Sequence, residues 1–96
     1  MRLDWAAIAV QDLRDIWAFL ERRNPVPAEN VHDAIMASAK GLISHPHRGR
    51  SGRVEGTREL VVARLPYIVV YEIKSDHIAI HRIRHGAQLW PPESTG

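Results

Sequence analysis

The sequence predicts an α+β fold in which a helical hairpin packs on an antiparallel sheet, in the order β-α-α-β-β-β. Two observations support it: apolar residues recur at helical spacing in the first half of the chain, and β-branched runs fill the second half. A chain of 96 residues suffices for one domain. We place this domain at 1–92 and expect a flexible tail at 93–96.

The first half predicts one short strand and two helices. Residues 2–5 alternate in polarity and are expected to form an edge strand, followed by a helix over about 7–23. Two prolines within 24–27 end this helix, and a second helix is expected from near Pro27 to the residues before Pro46. The apolar stripe of the first helix, expected in the core, is Leu13, Ile16, Trp17 and Leu20.

The second half predicts a meander of three strands joined by short hairpins. The central strand is apolar on both faces, as expected for a middle strand that helices cover on one side. In the last strand, alternation puts Arg82 and Arg84 on the face opposite to His81. The three strands are predicted at 57–63, 67–73 and 77–83.

Composition excludes several classes of protein. The chain has no cysteine, which rules out disulfides and thiolate metal sites and suits a reducing cytoplasm, where we place the protein. Asp4 and Asp12 interrupt the apolar residues at the N-terminus, so neither a secretory signal nor a membrane span is expected. The histidines lack the spacing of a zinc site, and we expect no metal and no cofactor.

Charge is distributed unevenly along the chain. Residues 45–96 hold eight Lys and Arg against five Asp and Glu, whereas residues 1–44 hold five against six. The glycine-rich stretch 49–56 precedes a strand rather than a helix, which excludes a P-loop. We interpret it as the hinge between helices and sheet, and as either a solvated loop or a partner surface. Turns with positive φ are expected at Gly49, Gly52 and Gly56.

Basic residues also gather at the ends of the predicted strands. Metal-free cleavage of RNA through its 2′-hydroxyl needs an acid, a base and cations for the phosphate. His85 would serve as an acid or base, and Arg64 and Arg84 would hold the phosphate. The same residues are equally consistent with an ion-pair belt on a solvated sheet edge, involving Glu59 and Glu72.

Four motifs, in this order, resemble the RelE/ParE superfamily of toxins from bacterial toxin–antitoxin modules. They are "W..IAVQDLRDIWAFL", "HPHRGRSGRVEGTRELVV", "LPYIVVYEI" and "IHRIRHGAQLWP", and they cover about 5–91. The resemblance implies the β-α-α-β-β-β architecture. It also implies a cognate antitoxin whose C-terminal segment wraps the toxin and masks its active surface.

The superfamily has two known activities: RelE-like members cleave mRNA in the ribosomal A site, and ParE-like members poison DNA gyrase. Ile68 replaces the arginine that RelE-like members carry in the third strand, and Trp90 stands near the place of their C-terminal tyrosine. Tryptophan has no hydroxyl for acid–base chemistry. These departures favour a ParE-like toxin that binds gyrase and arrests replication. The alternatives are a RelE-like ribosome-dependent endoribonuclease and a degenerate toxin that only binds its antitoxin in repression.

The resemblance and the charges together predict the contact residues and partners. Binding of the target, gyrase, is expected through Arg58, Arg64, Arg82, Arg84, His85 and Trp90. Ribonuclease activity, with ribosome and mRNA as partners, would instead depend on Arg64, Arg84 and His85. The antitoxin is expected in an apolar groove between hairpin and sheet, with contacts at Arg50, Arg53, Arg58 and Glu59. We expect neither a membrane nor a specific DNA sequence as a direct partner.

Overall fold

Two helices lie on one face of a five-stranded sheet in the computed structural model, which describes residues 1–23 and 25–92. The predicted α+β architecture is confirmed. The tail predicted at 93–96 lies outside the described residues. The elements are β1 (Arg2–Trp5), α1 (Ala7–Arg23), α2 (Pro25–Ser44), a 3₁₀ turn (Pro46–Arg48), β2 (Arg50–Ser51), β3 (Arg58–Val61), β4 (Tyr67–Ile73) and β5 (His77–His85).

The strands lie in the order β1-β5-β4-β3-β2. The predicted antiparallel meander is formed by β3, β4 and β5. β1 pairs in parallel with β5, with Arg2 opposite His77 and Trp5 opposite Ile80. The sheet is therefore mixed rather than antiparallel throughout. Most of the chain connects these two strands, which is ample for the crossover that a parallel pair requires.

The second helix supplies most of the helical half of the core. Its buried apolar residues recur every three or four positions, so they form one stripe that faces the sheet. These residues are Ala28, Val31, Ile35, Ala39 and Leu42. From Val31 onward the stripe packs in one cluster with buried side chains of β4 and β5, among them Val69, Tyr71, Ile78, Ile80 and Ile83.

The first helix is less deeply buried than the second. Ala9 is its one fully buried residue. Trp17 is 37% exposed, and its ring meets the ring of His32 edge to face. The prediction of a core Trp17 is wrong: at about 100° per residue, Trp17 lies about 80° around the helix from the fully buried Ala9, which places it at the edge of the contact stripe. The other three stripe residues, Leu13, Ile16 and Leu20, pack against the core as predicted.

The observed bounds differ from the predicted ones at several places. The second helix begins at Pro25, two residues before Pro27. The stretch interpreted as a hinge contains a short edge strand, because Arg50 and Ser51 pair with β3. β3 ends at Val61 rather than at the predicted residue 63, because a turn begins directly after it. β5 continues to His85 rather than ending at the predicted residue 83.

A buried tyrosine fixes the start of β2. The Tyr71 hydroxyl accepts a hydrogen bond from Gly49 N at 2.9 Å and donates to the Pro46 carbonyl at 2.6 Å. Arg58 donates to the Gly49 carbonyl at 2.6 Å. A Cβ on Gly49 would lie 2.7 Å from the Tyr71 hydroxyl oxygen, so close approach requires glycine there. The φ of Gly49 is −72°. Positive φ was predicted for Gly49, Gly52 and Gly56, and of these only Gly56, at 83°, has it.

Candidate functional site

The helix-free face of the sheet holds a buried ion cluster centred on Glu59 of β3. Glu59 and Arg84 of β5 are each 1% exposed, and Arg84 Nη2 lies 3.4 Å from Glu59 Oε1. Arg50 of β2 donates to the same oxygen at 3.0 Å from a largely exposed side chain. The backbone N–H of Arg53 donates to Oε2 at 2.9 Å. Two guanidinium groups and one backbone donor therefore hold a single carboxylate.

This arrangement keeps the Glu59 carboxyl ionised. Burial alone would raise its pKa, but the hydrogen bonds from Arg53 N–H, Arg50 and Arg84 outweigh burial and lower the pKa below the ordinary 4.5. Glu59 and Arg84 both lose their hydration on burial, and this cost offsets much of their attraction. The ion pair therefore fixes the relative positions of β3 and β5 more than it adds net stability. Glu59, predicted to contact the antitoxin, and Arg84, predicted to contact the target, are bound to each other.

Arg82 is bound to α1 at the free edge of β5. The pairing with β1 ends at Ile80, and beyond it Asp12 of α1 takes the place of a strand partner. Asp12 accepts hydrogen bonds from Ile83 N at 2.9 Å and from Arg82 Nε and Nη2 at 2.8 and 3.0 Å. The hydrogen bonds from Arg82 to Asp12 raise the pKa of Arg82. Arg82 is therefore neutralised in place by a bidentate ion pair.

A β-bulge changes the predicted faces of the last strand. Two adjacent residues of β4 lie opposite Ile80 and Arg82, so His81 is an extra residue in β5. His81 lies on the same side as Arg82 and Arg84, and its Nε2 is 3.0 Å from Glu72 Oε1. The prediction that His81 faces the other side is wrong, since alternation assumes one residue per partner.

Arg64 and His85 lie together at one end of the sheet. His85 lies opposite Tyr67, and the two rings meet edge to face with centroids 5.5 Å apart. Its Nδ1 accepts a hydrogen bond from the N–H of Ala87 at 3.0 Å, which assigns the proton of the neutral ring to Nε2. Arg64 is exposed in the turn between β3 and β4. Arg84 points to the opposite face of β5, away from both.

Trp90 lies over the buried ion cluster. Its ring centroid is 5.8 Å from the guanidinium carbon of Arg82 and 5.7 Å from that of Arg84. Its carbonyl is 3.4 Å from Arg53 Nη1. Trp90, predicted to contact the target, therefore covers part of the helix-free face.

An apolar groove runs between α1 and the end of the sheet. Ile16 and Phe19 of α1 form one wall, Tyr67 and His85 form the other, and Asp15 lies at the rim of a volume of about 390 Å³. Phe19 is 46% exposed. The sequence predicted a groove between hairpin and sheet but not its residues. The position of Phe19 off the core stripe is the signal that could have identified it.

A second groove lies on the other flank of α1, between the two helices. It is lined by Val10, Leu13, Arg14, Trp17 and His32. Together the two grooves leave apolar side chains accessible on both flanks of one helix, which is typical of a surface that a partner covers.

Within residues 1–23 and 25–92, no group of three or more His, Asp or Glu side chains is placed to hold a metal ion. The helices of that part of the chain are too short or too polar to cross a membrane. Of the six predicted target residues, Arg58 donates to the Gly49 carbonyl, and the other five separate into two groups. Arg82, Arg84 and Trp90 meet on the helix-free face, whereas Arg64 and His85 lie at the sheet end beside the apolar groove.

The fold and these surfaces define a class of small toxins. The chain matches a solved structure, the chromosomal ParDE toxin–antitoxin system from P. aeruginosa, with a TM-score of 0.81 and 28% identity. The match covers 88% of this chain and 95% of the other. A helical hairpin on a five-stranded mixed sheet is therefore the architecture of a RelE/ParE-type toxin.

The family model described as the ParE toxin of the type II toxin–antitoxin system, parDE, matches residues 3–90, and the chain belongs to this family. Y4kP of Sinorhizobium fredii, a relative that carries a toxin name, is 38% identical over 90 residues, which cover 94% of this chain and 93% of that protein. Toxin RelE2 of Caulobacter vibrioides is 33% identical over 85 residues, which cover 88% and 94%. Membership in the family implies an antitoxin as partner.

Proposed function

We propose that this toxin inhibits DNA gyrase by binding it, arrests replication, and is neutralised when its antitoxin covers the same surface. The observation that carries the proposal is the pairing of Arg84 with Glu59 and of Arg82 with Asp12. RNA cleavage requires free cations at the reacting phosphate, and these two arginines are already neutralised. An inhibitor that acts by binding needs a preorganised surface, which such ion pairs support.

We infer that the target contact lies at the end of the sheet. Arg64 is exposed there and has no carboxylate partner among the described residues. His85 is exposed beside it and presents its Nε2–H. A cation and a donor on rigid strand ends can bind carbonyl or carboxylate oxygens of a protein target.

We infer that the antitoxin binds in the apolar groove beside this contact. An amphipathic segment would seat an apolar side chain between Phe19 and Tyr67. Acidic residues farther along it would meet the exposed arginines Arg50 and Arg53 at the β2 edge. His85 also lines the groove, so an antitoxin bound there would block the target contact, which accounts for neutralisation.

The gyrase proposal is tested with purified toxin, gyrase, ATP and supercoiled plasmid. Wild-type toxin should accumulate linear, protein-linked DNA or block supercoiling, and Arg64→Ala should weaken this effect. Lys40→Ala, which removes an exposed cation from α2, is the matched control and should act as wild type. Unaltered supercoiling activity at micromolar toxin would refute gyrase as the target.

Ribosome-dependent mRNA cleavage is the second candidate, because two relatives carry RelE names at 33% and 32% identity. In this candidate, His85 Nε2 would exchange the proton and Arg64 would hold the phosphate. Primer extension on mRNA from induced cells should then show cuts in the ribosomal A site that disappear in His85→Ala. Intact transcripts in growth-arrested cells would exclude this activity.

A further inference from the structure

The outer side of β1 is an unpaired edge of the sheet. β1 stands first in the strand order, so only its inner side has a neighbouring strand. The N–H of Ala6 donates to the Ile80 carbonyl at 2.9 Å, which identifies the side that faces β5. Backbone groups of successive residues point to alternate sides of a strand, so the N–H and C=O groups of Leu3 and Trp5 point outward. Within residues 1–23 and 25–92, no turn, loop or side chain supplies these outward groups with a hydrogen-bond partner.

The side chains of β1 separate cleanly between its two faces. Leu3 and Trp5 pack against the helical core, so Arg2 and Asp4, which alternate with them, lie on the helix-free face. Both charged side chains are largely exposed. Their contacts within the chain are Arg2 to Asp76 at 3.4 Å and His77 to Asp4 at 4.0 Å. Exposed ion pairs of this kind contribute little stability, so Arg2 and Asp4 can exchange them for other partners.

The strand is complementary to itself in one antiparallel register. With Leu3 opposite Leu3 of a second copy, Arg2 stands opposite Asp4 of that copy, and Asp4 stands opposite its Arg2. Because the backbone of Leu3 points outward, Leu3 forms the hydrogen-bonded pair. Arg2 and Asp4 then take non-hydrogen-bonded positions, where opposite side chains come closest. Sliding one strand by two residues in either direction brings Asp4 opposite Asp4 or Arg2 opposite Arg2, so charge selects this register.

The other edge of the sheet, β2, lacks this property. It is two residues long, and Arg50 is its one charged residue. Two copies of β2 side by side would bring Arg50 near a second Arg50 without a carboxylate from the same strand. Edge strands usually carry charges of one sign, which repel a second copy. An arginine and an aspartate two positions apart on β1 instead permit a second copy to pair.

We propose that β1 pairs with β1 of a second copy about a two-fold axis at Leu3, which joins two sheets into one. The two Leu3 residues exchange backbone hydrogen bonds, and Arg2 of each copy meets Asp4 of the other. So short a strand pair buries less than the roughly 1,200 Å² of a stable interface, so we expect a weak dimer with a Kd on the order of 10–100 μM. The dimer does not depend on which target the toxin inhibits, so this proposal can fail independently of the gyrase proposal.

Sedimentation of the untagged chain from about 5 to about 500 μM tests the dimer and its register. Arg2→Asp and Asp4→Arg each place like charges opposite one another and should weaken self-association by at least about tenfold. The double variant Arg2→Asp with Asp4→Arg exchanges the charges and should restore it. An equimolar mixture of the two single variants should also associate, because each then meets its opposite charge. A folding defect could not produce this recovery.

Asp76→Asn is the matched control, because it removes the partner of Arg2 within the chain and leaves β1 unchanged. It should associate at least as strongly as wild type. A chain that stays monomeric up to about 500 μM would overturn the proposal. A dimer that survives both single charge reversals would also overturn it, since the copies would then meet through another surface.

Hydrogen exchange on the unmodified chain gives a check that needs no variant. The amides of Leu3 and Trp5 point outward, so they should exchange rapidly in dilute protein and at least about tenfold more slowly at dimer concentrations. The amide of Asp4 points toward β5 and should exchange at the same rate in both samples. A Leu3 amide whose exchange does not slow as the dimer forms would contradict the pairing of the two β1 strands.

Discussion

At the scale of single residues, Arg64 combines exposure with a backbone conformation unusual for an arginine. Its φ is 63°, at the third position of a turn in which the N–H of Leu65 donates to the Val62 carbonyl at 3.1 Å. Glycine or asparagine usually fills such a position, and other L-residues cost roughly 1–2 kcal/mol there. An arginine retained at that cost is better explained by contact with a partner than by stability.

Arg64→Gly should raise the free energy of unfolding by about 1 kcal/mol, because glycine adopts a positive φ without strain. Arg64→Ala keeps the strained backbone and should leave stability near wild type. Both substitutions should weaken gyrase inhibition. Denaturant unfolding and a supercoiling assay on the same samples separate the two effects. A stabilised Arg64→Gly protein with full inhibition would show that Arg64 is not a target contact.

Glu59 is the residue whose loss should damage the fold most directly. Glu59→Ala removes the carboxylate and leaves Arg84 buried and charged, which should cost about 3–5 kcal/mol of unfolding free energy. That loss is a large part of the stability of a small domain. Denaturant unfolding measures this loss. The double variant Glu59→Ala with Arg84→Met, which also removes the buried positive charge, should recover part of it.

The same carboxyl gives a pH dependence of known sign. The pKa of Glu59 is lowered in the folded state, so ionised Glu59 contributes stability above its ordinary value of 4.5 and loses it as the pH falls through the lower folded value. Stability should therefore decline in acid below about 4.5, and Glu59→Gln should show a shallower decline. Parallel declines in the two proteins would contradict the role given to this group.

At the scale of secondary-structure elements, α1 acts as a substitute strand partner for the exposed edge of β5. Asp12→Ala removes the acceptor of Ile83 N and of Arg82, and should cost about 1.5–3 kcal/mol because the lost hydrogen bonds are to a charged group. Asp12→Asn keeps one acceptor oxygen and should cost less. Denaturant unfolding compares the variants, and equal stability of Asp12→Ala and wild type would contradict this role of α1.

The groove on the flank of α1 makes a separate prediction about binding. Phe19→Ala should weaken antitoxin binding by about tenfold or more, because it removes one apolar wall at the interface. The free energy of unfolding should change by about 1 kcal/mol or less, since about half of the Phe19 side chain is solvated. Ile43→Ala, an exposed apolar residue of α2 outside the groove, is the control. Calorimetric titration with the antitoxin measures both, and equal affinities would place the antitoxin elsewhere.

Sequence patterns predict the long elements of this fold and miss its exceptions. The bounds predicted for α1 and for β4, which is apolar except for Glu72, agree with the structure, because a pattern that extends over many residues is a strong signal. The bulge at His81 and the two-residue β2 leave no periodic trace. Pairs such as Glu59 with Arg84 join residues far apart in the chain, so the sequence identified the chemical types of the site but not which charges neutralise each other.

At the scale of the whole molecule, the exposed arginines form a basic corner at the 3₁₀ turn, β2 and the loop after it. Arg48 and Arg53 are exposed there, and neither side chain pairs with a carboxylate among the described residues. Replacing both with alanine should slow association with an acidic antitoxin and flatten its dependence on salt. Stopped-flow association at several salt concentrations measures this. Arg22→Ala with Lys40→Ala, which removes two exposed cations of the helices outside both grooves, is the matched control. An equal effect in both pairs would remove the basic corner from the encounter.

The parallel pair of β1 and β5 has a consequence for how the toxin is made. The first strand of the chain finds its partner in the last one, with Arg2 opposite His77. Contacts between residues so far apart form late, because a long stretch of chain must be closed into a loop first. During synthesis on the ribosome, β1 stays unpaired until β5 has been made. The sheet, and with it Asp12 against the edge of β5 and the grooves beside α1, is therefore completed only after β5 has been synthesised.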